Sequence, residues 1–221
     1  MRTLLNIENI EKGNSSLIVG SGGTIREHSE KIRKYISNHN SKIIGINKMV
    51  SYFVPHYHLW TNWQRYRDLG SCVNKKSVMM FGCGLTKEKI RKHHKRGFVR
   101  VDYEKDLSLA SDNIDYIKGK IYGRFRTAGV LSIMVAYIMG FKKIDIVGMD
   151  GYTLFSKKEI KKNNKNQHCY GSGFTDDASW EKCLEKDKMV LDDLTKIHKF
   201  GVKFRILTPT KFMKFYDGSV L

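Results

Sequence analysis

The sequence feature that most constrains the fold is a repeated alternation between short apolar runs and segments of helical periodicity. This alternation is typical of βα units, which build a parallel sheet covered by helices. The apolar runs predict strands at residues 16–19, 42–46, 57–60, 77–81, 98–103, 143–147 and 203–207. The helical patterns predict helices at about residues 25–38, 63–69, 87–95, 127–140 and 178–200.

These elements predict one α/β domain over residues 1–221, a three-layer α/β/α sandwich around a Rossmann-like, mainly parallel sheet. The strand signal at 57–60 is weak, and 98–103 is expected at an edge of the sheet. Residues 157–175 are rich in lysine and asparagine and are expected to form a mobile loop. A ligand cleft is expected outside the carboxyl ends of the strands, as in other open α/β sheets.

The composition indicates the charge of the partners. The chain carries 40 Lys and Arg residues against 22 Asp and Glu residues, a formal net charge of +18. Such a field attracts nucleotides, nucleic acid or an anionic membrane surface, although a solvated lysine-rich surface explains it equally well. The four cysteines form no C-x-x-C pair, which favours free thiols.

The chain shows no targeting or membrane-spanning signal. The N-terminus lacks a signal-peptide pattern, and no apolar stretch is long enough to cross a bilayer. The protein is therefore expected in the cytoplasm or peripherally at the inner face of the membrane.

A glycine-rich turn follows the first predicted strand and precedes a helix. It comprises Gly20, Ser21, Gly22 and Gly23. Glycines allow a sharp turn and close approach of a ligand, and the next helix offers unpaired N–H groups to a phosphate. The turn is neither a full G-x-G-x-x-G nor a Walker A motif. A tight βα connection without a ligand remains the alternative.

Polar residues follow several of the other predicted strands. Asn47, Asn62, Asp150, Tyr152 and Thr208 all lie at strand ends. Asparagine can contact a base or ribose as both donor and acceptor. Ordinary turn chemistry is the alternative, because Asn and Asp favour loops.

The buried helix predicted at 127–140 provides a second potential anion site. It begins with Arg126, Thr127, Ala128 and Gly129. Thr127 is a suitable helix cap, and the helix N-terminus can also face the same nucleotide.

The predicted mobile loop contains a candidate general base. His168 lies two residues before Tyr170, beside glycines. A histidine titrates near neutral pH and can accept a proton from an attacking hydroxyl. His56 and His58 are rival candidates because their strand leads to Asn62. An ordinary surface histidine is the other alternative.

Metal ligands are not evident in the sequence. The chain contains no D-x-D pair, which glycosyltransferases usually need to hold a nucleotide-sugar through a metal, and no Cys/His spacing typical of zinc. The sequence therefore predicts a reaction without metal and without a tightly bound cofactor.

The order of these motifs resembles the bacterial sialyltransferases of glycosyltransferase family forty-two. The similar segments are LIVGSGGT (17–24), IGIN (44–47), RTAGV (126–130) and AYIMGFKKIDIVGMDGY (136–152). The resemblance implies a GT-A-like variant of the Rossmann fold. It also implies a CMP-sugar donor that carries sialic acid or a related nonulosonate or ulosonate, transferred to a glycan or lipid-linked acceptor.

The resemblance also implies roles for particular residues. Tyr152 and Tyr170 would donate hydrogen bonds to the leaving phosphate, and His168 would be the base. Residues expected to line the nucleotide site are Ser21, Gly22, Asn47, Asn62, Thr127, Ala128 and Gly129. The chain departs from the family at two points, with Gly23-Thr24 in place of proline-serine and Gly173 at the position of the catalytic histidine.

The same motifs are also similar to archaeal-type 6-hydroxymethyl-dihydropterin pyrophosphokinases. That resemblance implies an alternative function, an ATP- and Mg-dependent pyrophosphokinase acting on a pterin-like alcohol. Its metal would need carboxylates, for which Asp150, Asp176 and Asp177 are the candidates. A nucleic-acid partner is not expected, because no recognised nucleic-acid motif accompanies the charge.

Overall fold

A computed structural model describes residues 1–47, 53–104, 106, 112–156, 168–169 and 178–221. Its strands are β1 (Arg2–Thr3), β2 (Ser15–Val19), β3 (Lys42–Ile46), β4 (Tyr57–Trp60), β5 (Val78–Gly82), β6 (Val99–Tyr103), β7 (Asp115–Ile117), β8 (Lys120–Tyr122), β9 (Lys143–Val147) and β10 (Arg205–Ile206). Its α-helices are α1 (Thr24–His39), α2 (Trp63–Leu69), α3 (Lys87–Arg91), α4 (Ala128–Ile138) and α5 (Trp180–Lys199). Within the described residues, no helix has the length and apolar character needed to cross a membrane.

The ten strands form one mostly parallel sheet, which confirms the predicted fold class. Its order is β10-β9-β2-β3-β4-β5-β6-β8-β7, and β1 also pairs with β6. The β7–β8 pair is antiparallel, and the other pairings are parallel. From β2 the chain adds strands in one direction as far as β6 and later returns to place β9 on the other side of β2. The strand order therefore reverses between β2 and β9, where such sheets bind ligands.

Helices cover both faces of the sheet. Ile18 of β2 belongs to the larger core cluster, which also contains the inner faces of α4 and α5. Its neighbours Leu17 and Val19 point the other way and pack with Ile25 of α1. Farther along that second face, aromatic residues of β4 and β5 pack with α2 and α3. Side chains alternate between faces along a strand, so the sheet is the middle layer of a three-layer sandwich.

Four of the helices begin with their own side-chain cap. The caps are Asn62 for α2, Thr86 for α3, Thr127 for α4 and Ser179 for α5, and each accepts a hydrogen bond from the backbone three residues later. Helix α1 differs, because its N-cap is Gly23, which has no side chain.

The structure corrects several sequence predictions. Strand β6 was expected at an edge, but β5 pairs along one side of it and β1 and β8 along the other. Its polar Arg100 does not need an open edge, because the guanidinium donates to the carbonyl groups of Cys83 (2.8 Å) and Leu85 (2.5 Å). The weakly predicted β4 is central. Helix α3 and strand β10 are shorter than predicted. Of the predicted loop 157–175, only 168–169 lie within the described residues.

Candidate functional site

A cavity of about 410 Å³ opens at the carboxyl ends of β2, β3, β4 and β9. Its volume is in the range of small-molecule sites. It lies where the strand order reverses, and α4 and α5 supply the opposite wall. The lining residues are Gly20, Ser21, Gly22, Ile46, Asn47, Thr61, Asn62, Arg65, Arg126, Thr127, Ala128, Gly129, Gly148, Met149, Asp150, Gly151, Tyr152, His168, Lys186, Val190 and Phe212.

Most of the residues singled out from the sequence meet in this cavity. The lining includes Gly20, Ser21 and Gly22 of the glycine-rich turn, both asparagines, the start of α4, Asp150, Tyr152 and His168. Among the described residues, Gly23 is the predicted contact that lies outside the lining, because it serves as the N-cap of α1. Tyr170 lies outside the described residues.

The glycine-rich turn is held close to the loop after β9. The N–H of Gly20 donates to Val147 O (2.8 Å), and the N–H of Gly22 donates to Gly148 O (2.9 Å). A Cβ on Gly20 would overlap the carbonyl of Gly148, and one on Gly22 would overlap the carboxyl group of Asp150. The turn therefore requires glycine at both positions for steric reasons.

The N-terminus of α1 is already occupied by a protein carboxylate. Asp150 accepts hydrogen bonds from the N–H of Thr24 (2.8 Å) and from its hydroxyl (2.5 Å). This corrects the prediction that α1 presents unpaired N–H groups to a phosphate. Asp150, expected to bind the ligand, lines the cavity and also supplies the cap that Gly23 cannot provide. Its burial raises its pKa to about 7, although the bonds from Thr24 act in the opposite direction.

The N-terminus of α4, by contrast, faces the cavity. Thr127 caps it by accepting from the N–H of Val130 (3.1 Å). The first backbone bond of the helix is donated by Leu131 to Thr127 O (3.1 Å). The N–H groups of Ala128 and Gly129 precede that bond, so they project from the helix end. Together with the helix dipole they form a positive site for an anion.

Helix α5 holds Arg126, the residue before this helix start. Asp193 accepts from the N–H of Arg126 (3.3 Å) and from its guanidinium. The carboxyl group of Asp193 is fully buried. Burial raises its pKa to about 6, although Arg126 favours the charged form. This pair fixes the position of α4 relative to α5.

A second aspartate of α5 holds the loop that carries Tyr152. Asp187 accepts from the N–H of Tyr152 (2.7 Å), the N–H of Thr153 (2.9 Å) and the hydroxyl of Thr153 (2.7 Å). The ammonium group of Lys186 lies 5.2 Å from the centre of the Tyr152 ring. The sequence prediction missed these α5 residues. The sequence feature that could have revealed them is the presence of aspartates, Asp187 and Asp193, at buried positions of an amphipathic helix.

His168 is attached directly to the glycine-rich turn. It forms an isolated antiparallel bridge with Gly22, and the N–H of Cys169 donates to Ser21 O (2.9 Å). The side chain of Cys169 is buried with Leu17 and other residues of the α1 side of the core. Cys169 thus anchors His168 at the wall of the cavity, a role that the sequence did not indicate.

The rival histidines lie outside the cavity lining. His56 is exposed, its Nδ1 accepts from the N–H of Ile43 (3.0 Å), and partial burial of its ring lowers its pKa. His58 is fully buried, which lowers its pKa to about 4, and its Nε2 donates to Asn47 O (2.6 Å). Within the described residues, His168 is the one histidine in the cavity wall.

The two asparagines differ in their use. Asn62 Oδ1 accepts from the N–H of Arg65 (3.1 Å), so it caps α2. This local role is the alternative to ligand binding that the sequence left open. The backbone of Asn47 is left-handed (φ 49°). The hydrogen bond from the His58 ring to the carbonyl of Asn47 stabilises this conformation. The Oδ1 of Asn47 is buried and has no hydrogen-bond partner within the described residues. It is therefore an acceptor available to a ligand.

No group of three or more His, Cys, Asp or Glu side chains suitable for a metal ion occurs within the described part of the chain.

In comparisons with known proteins, no family model matches the chain, and no curated protein matches it.

Proposed function

We propose that this protein is a metal-independent glycosyltransferase that transfers an acidic sugar, a sialic acid or a related nonulosonate or ulosonate, from a CMP-sugar. The acceptor is a glycan or a lipid-linked glycan. The observation that carries the proposal is the convergence of the α4 N-terminus and His168 on one cavity. The first group suits a leaving phosphate, and the second suits removal of a proton from an acceptor hydroxyl.

The phosphate site of the proposal is the start of α4. The N–H groups of Ala128 and Gly129 would bind the phosphate oxygens, with Lys186 adding positive charge from the lining. Tyr152 would donate a hydrogen bond from the β9 side, and Tyr170 remains a predicted second donor. Such preorganised donors stabilise the charge that develops on a leaving group. They would do what a metal ion does in other transferases.

The nucleoside site of the proposal lies along the ends of β2, β3 and β4. Ser21 and Gly22 form its floor, with Asn47 and Asn62 beside them. The unpartnered Oδ1 of Asn47 would accept from a ribose hydroxyl or a base amino group. A buried acceptor that gains a donor on binding favours ligands that supply one, because an unpaired polar group is costly.

The proposed reaction is a direct displacement. The acceptor oxygen attacks the anomeric carbon, and the bond from that carbon to the CMP phosphate oxygen breaks. The bonding electron pair leaves with CMP, and His168 takes the proton of the acceptor hydroxyl. A histidine can serve as this base without a large pKa shift, since it titrates near neutrality.

Calorimetric titration with CMP, CDP and ATP plus magnesium tests the proposal. We expect CMP and CDP to bind without metal, and CMP-sugars to turn over with a suitable acceptor. Failure to bind CMP or CDP at millimolar concentrations would contradict the proposal. Magnesium-dependent release of AMP from ATP would instead support the pyrophosphokinase alternative. Among the carboxylates that could hold magnesium for the pyrophosphokinase, Asp150 is hydrogen-bonded to Thr24. Asp176 and Asp177 lie outside the described residues.

Nucleotide affinity is expected to fall as the pH rises through about 7, the pKa of Asp150. Below that pH the carboxyl group is mostly neutral, and above it a negative charge appears in the cavity wall. The repulsion should weaken CMP binding about five- to tenfold between about pH 6 and pH 8. Because CMP itself titrates, the measurement is the difference between wild type and Asp150→Asn. A variant with the same pH profile as wild type would contradict this assignment.

A further inference from the structure

One outer face of the protein carries a large share of its positive charge. Residues 63–96 contain ten Lys and Arg residues but only two acidic residues, Asp68 and Glu88. This stretch therefore supplies a net charge of +8 of the total +18. Its basic residues are Arg65, Arg67, Lys75, Lys76, Lys87, Lys89, Arg91, Lys92, Lys95 and Arg96.

Hydrogen bonds join the segments of this stretch into one surface. Arg96 Nη1 donates to Lys75 O (2.6 Å), which links the end of the α3 segment to the turn before β5. The ring of His93 bonds to Arg67 O (3.1 Å), which links α3 to α2. We call the exposed surface of residues 63–76 and 86–96 the α2–α3 face. Its charges are fixed on one side of the sheet and are not distributed over the whole protein.

Arginines of this face form ion pairs or hydrogen bonds within the protein, whereas its lysines form no ion pair within the described residues. Arg67 pairs with Asp68 (2.7 Å), and Arg91 donates to Arg96 O (3.0 Å). Within the described residues, the lysines of the face have no carboxylate partner, unlike Lys120, Lys143 and Lys196 elsewhere. Unpaired ammonium groups on flexible side chains attract negative charge without requiring a fixed geometry.

The chemistry of the face favours a diffuse anionic surface over a polynucleotide. Polynucleotides without a defined sequence are bound by stacking bases on aromatic rings. Trp63 is unsuited to stacking, because the ammonium groups of Lys89 and Lys92 each lie 5.3 Å from its ring centre. Large exposed apolar side chains are absent from this described surface. Its binding is therefore electrostatic and does not involve insertion of apolar groups.

We propose that the α2–α3 face docks the protein on the surface of an anionic lipid bilayer. Each lysine near such a surface adds to the attraction, and the attraction falls off within a Debye length. Arg65 belongs both to α2 and to the cavity lining. Docking through this face therefore holds the mouth of the cavity close to the bilayer. The inference does not depend on the proposed transferase activity.

The test is cosedimentation with vesicles of phosphatidylcholine mixed with phosphatidylglycerol, compared with vesicles of phosphatidylcholine alone. Wild-type protein should bind the anionic vesicles, should release at high salt and should not bind the neutral vesicles. Replacing Lys87, Lys89, Lys92 and Lys95 together with glutamine should weaken binding by about two to three orders of magnitude. The same four positions changed to arginine should retain binding, because the charge is kept.

The matched control replaces four exposed lysines away from the α2–α3 face, Lys12, Lys142, Lys199 and Lys203, with glutamine. It changes the net charge equally and should leave vesicle binding nearly intact. Equal losses in both glutamine variants would overturn the proposal, since net charge alone would then explain binding. So would a wild-type protein that binds single-stranded RNA through the α3 lysines but not anionic vesicles. Circular dichroism of each variant verifies that it is folded.

Discussion

Replacing His168 with alanine is expected to lower turnover of the CMP-sugar by about two to four orders of magnitude. The imidazole is the proposed acceptor of the proton, and a positioned base contributes this much to the rate. Nucleotide affinity should change little, because the proposed phosphate donors are the N–H groups at the start of α4 and the hydroxyls of Tyr152 and Tyr170, and His168 is not among them. Steady-state kinetics and calorimetric titration with CMP separate the two effects. Loss of binding and of turnover together would indicate that His168 serves mainly to hold the turn.

The matched control for this variant is His39→Ala. His39 is exposed and belongs to the last turn of α1, at the opposite end of that helix from the cavity. Its removal should leave turnover and affinity unchanged. An undiminished rate in the His168 variant would contradict the proposed role and leave the base unassigned.

Replacing Gly20 with alanine is expected to destabilise the protein by about 3 kcal/mol. The added methyl group would overlap the carbonyl of Gly148, a backbone atom that cannot rotate away. Relief requires β2 and β9 to separate at the point where the N–H of Gly20 donates to Val147 O. Urea unfolding followed by circular dichroism measures the loss, and CMP affinity should fall with it.

Gly97→Ala is the control for this substitution. A Cβ on Gly97 meets nothing within 4 Å. Its replacement should alter the free energy of unfolding by no more than about 0.5 kcal/mol. If both glycine variants unfold at the same urea concentration, close contact between the turn and β9 is not what requires glycine at position 20.

The parts of the fold that were predictable are those set by local patterns. Strands such as β3 and β9 and the buried helix α4 are mostly apolar, and their bounds match the prediction closely. The glycine-rich turn and the asparagine after β3 could be assigned to one cleft, because parallel strands end at the same edge. Strands β1, β7 and β8 have only two or three residues each and were missed. Such short segments are too short to show an alternation of apolar and polar residues.

The contacts that organise the site join residues far apart in the sequence. The sequence alone could not indicate that Asp150 would cap a helix that begins 126 residues earlier. Nor could it indicate that Cys169 would fix His168 to Ser21, because a cysteine in a polar segment has no pattern of its own. Asp187 and Asp193 were in principle readable, since a charged residue on the buried face of a helix needs a partner.

The cap that Asp150 provides to α1 has a consequence for the order in which the protein is made. Ribosomes add about 5–20 residues per second, so roughly 6–25 s separate Thr24 from Asp150 during synthesis. Throughout that interval the first helix lacks the carboxylate that caps it, and β2 has an open side where β9 will later pair. The nascent chain therefore exposes one unpaired edge of an apolar strand, Ser15–Val19, to chaperones and to other nascent chains. A chain that stops before β9 lacks both the carboxylate that caps α1 and one of the two neighbours of β2.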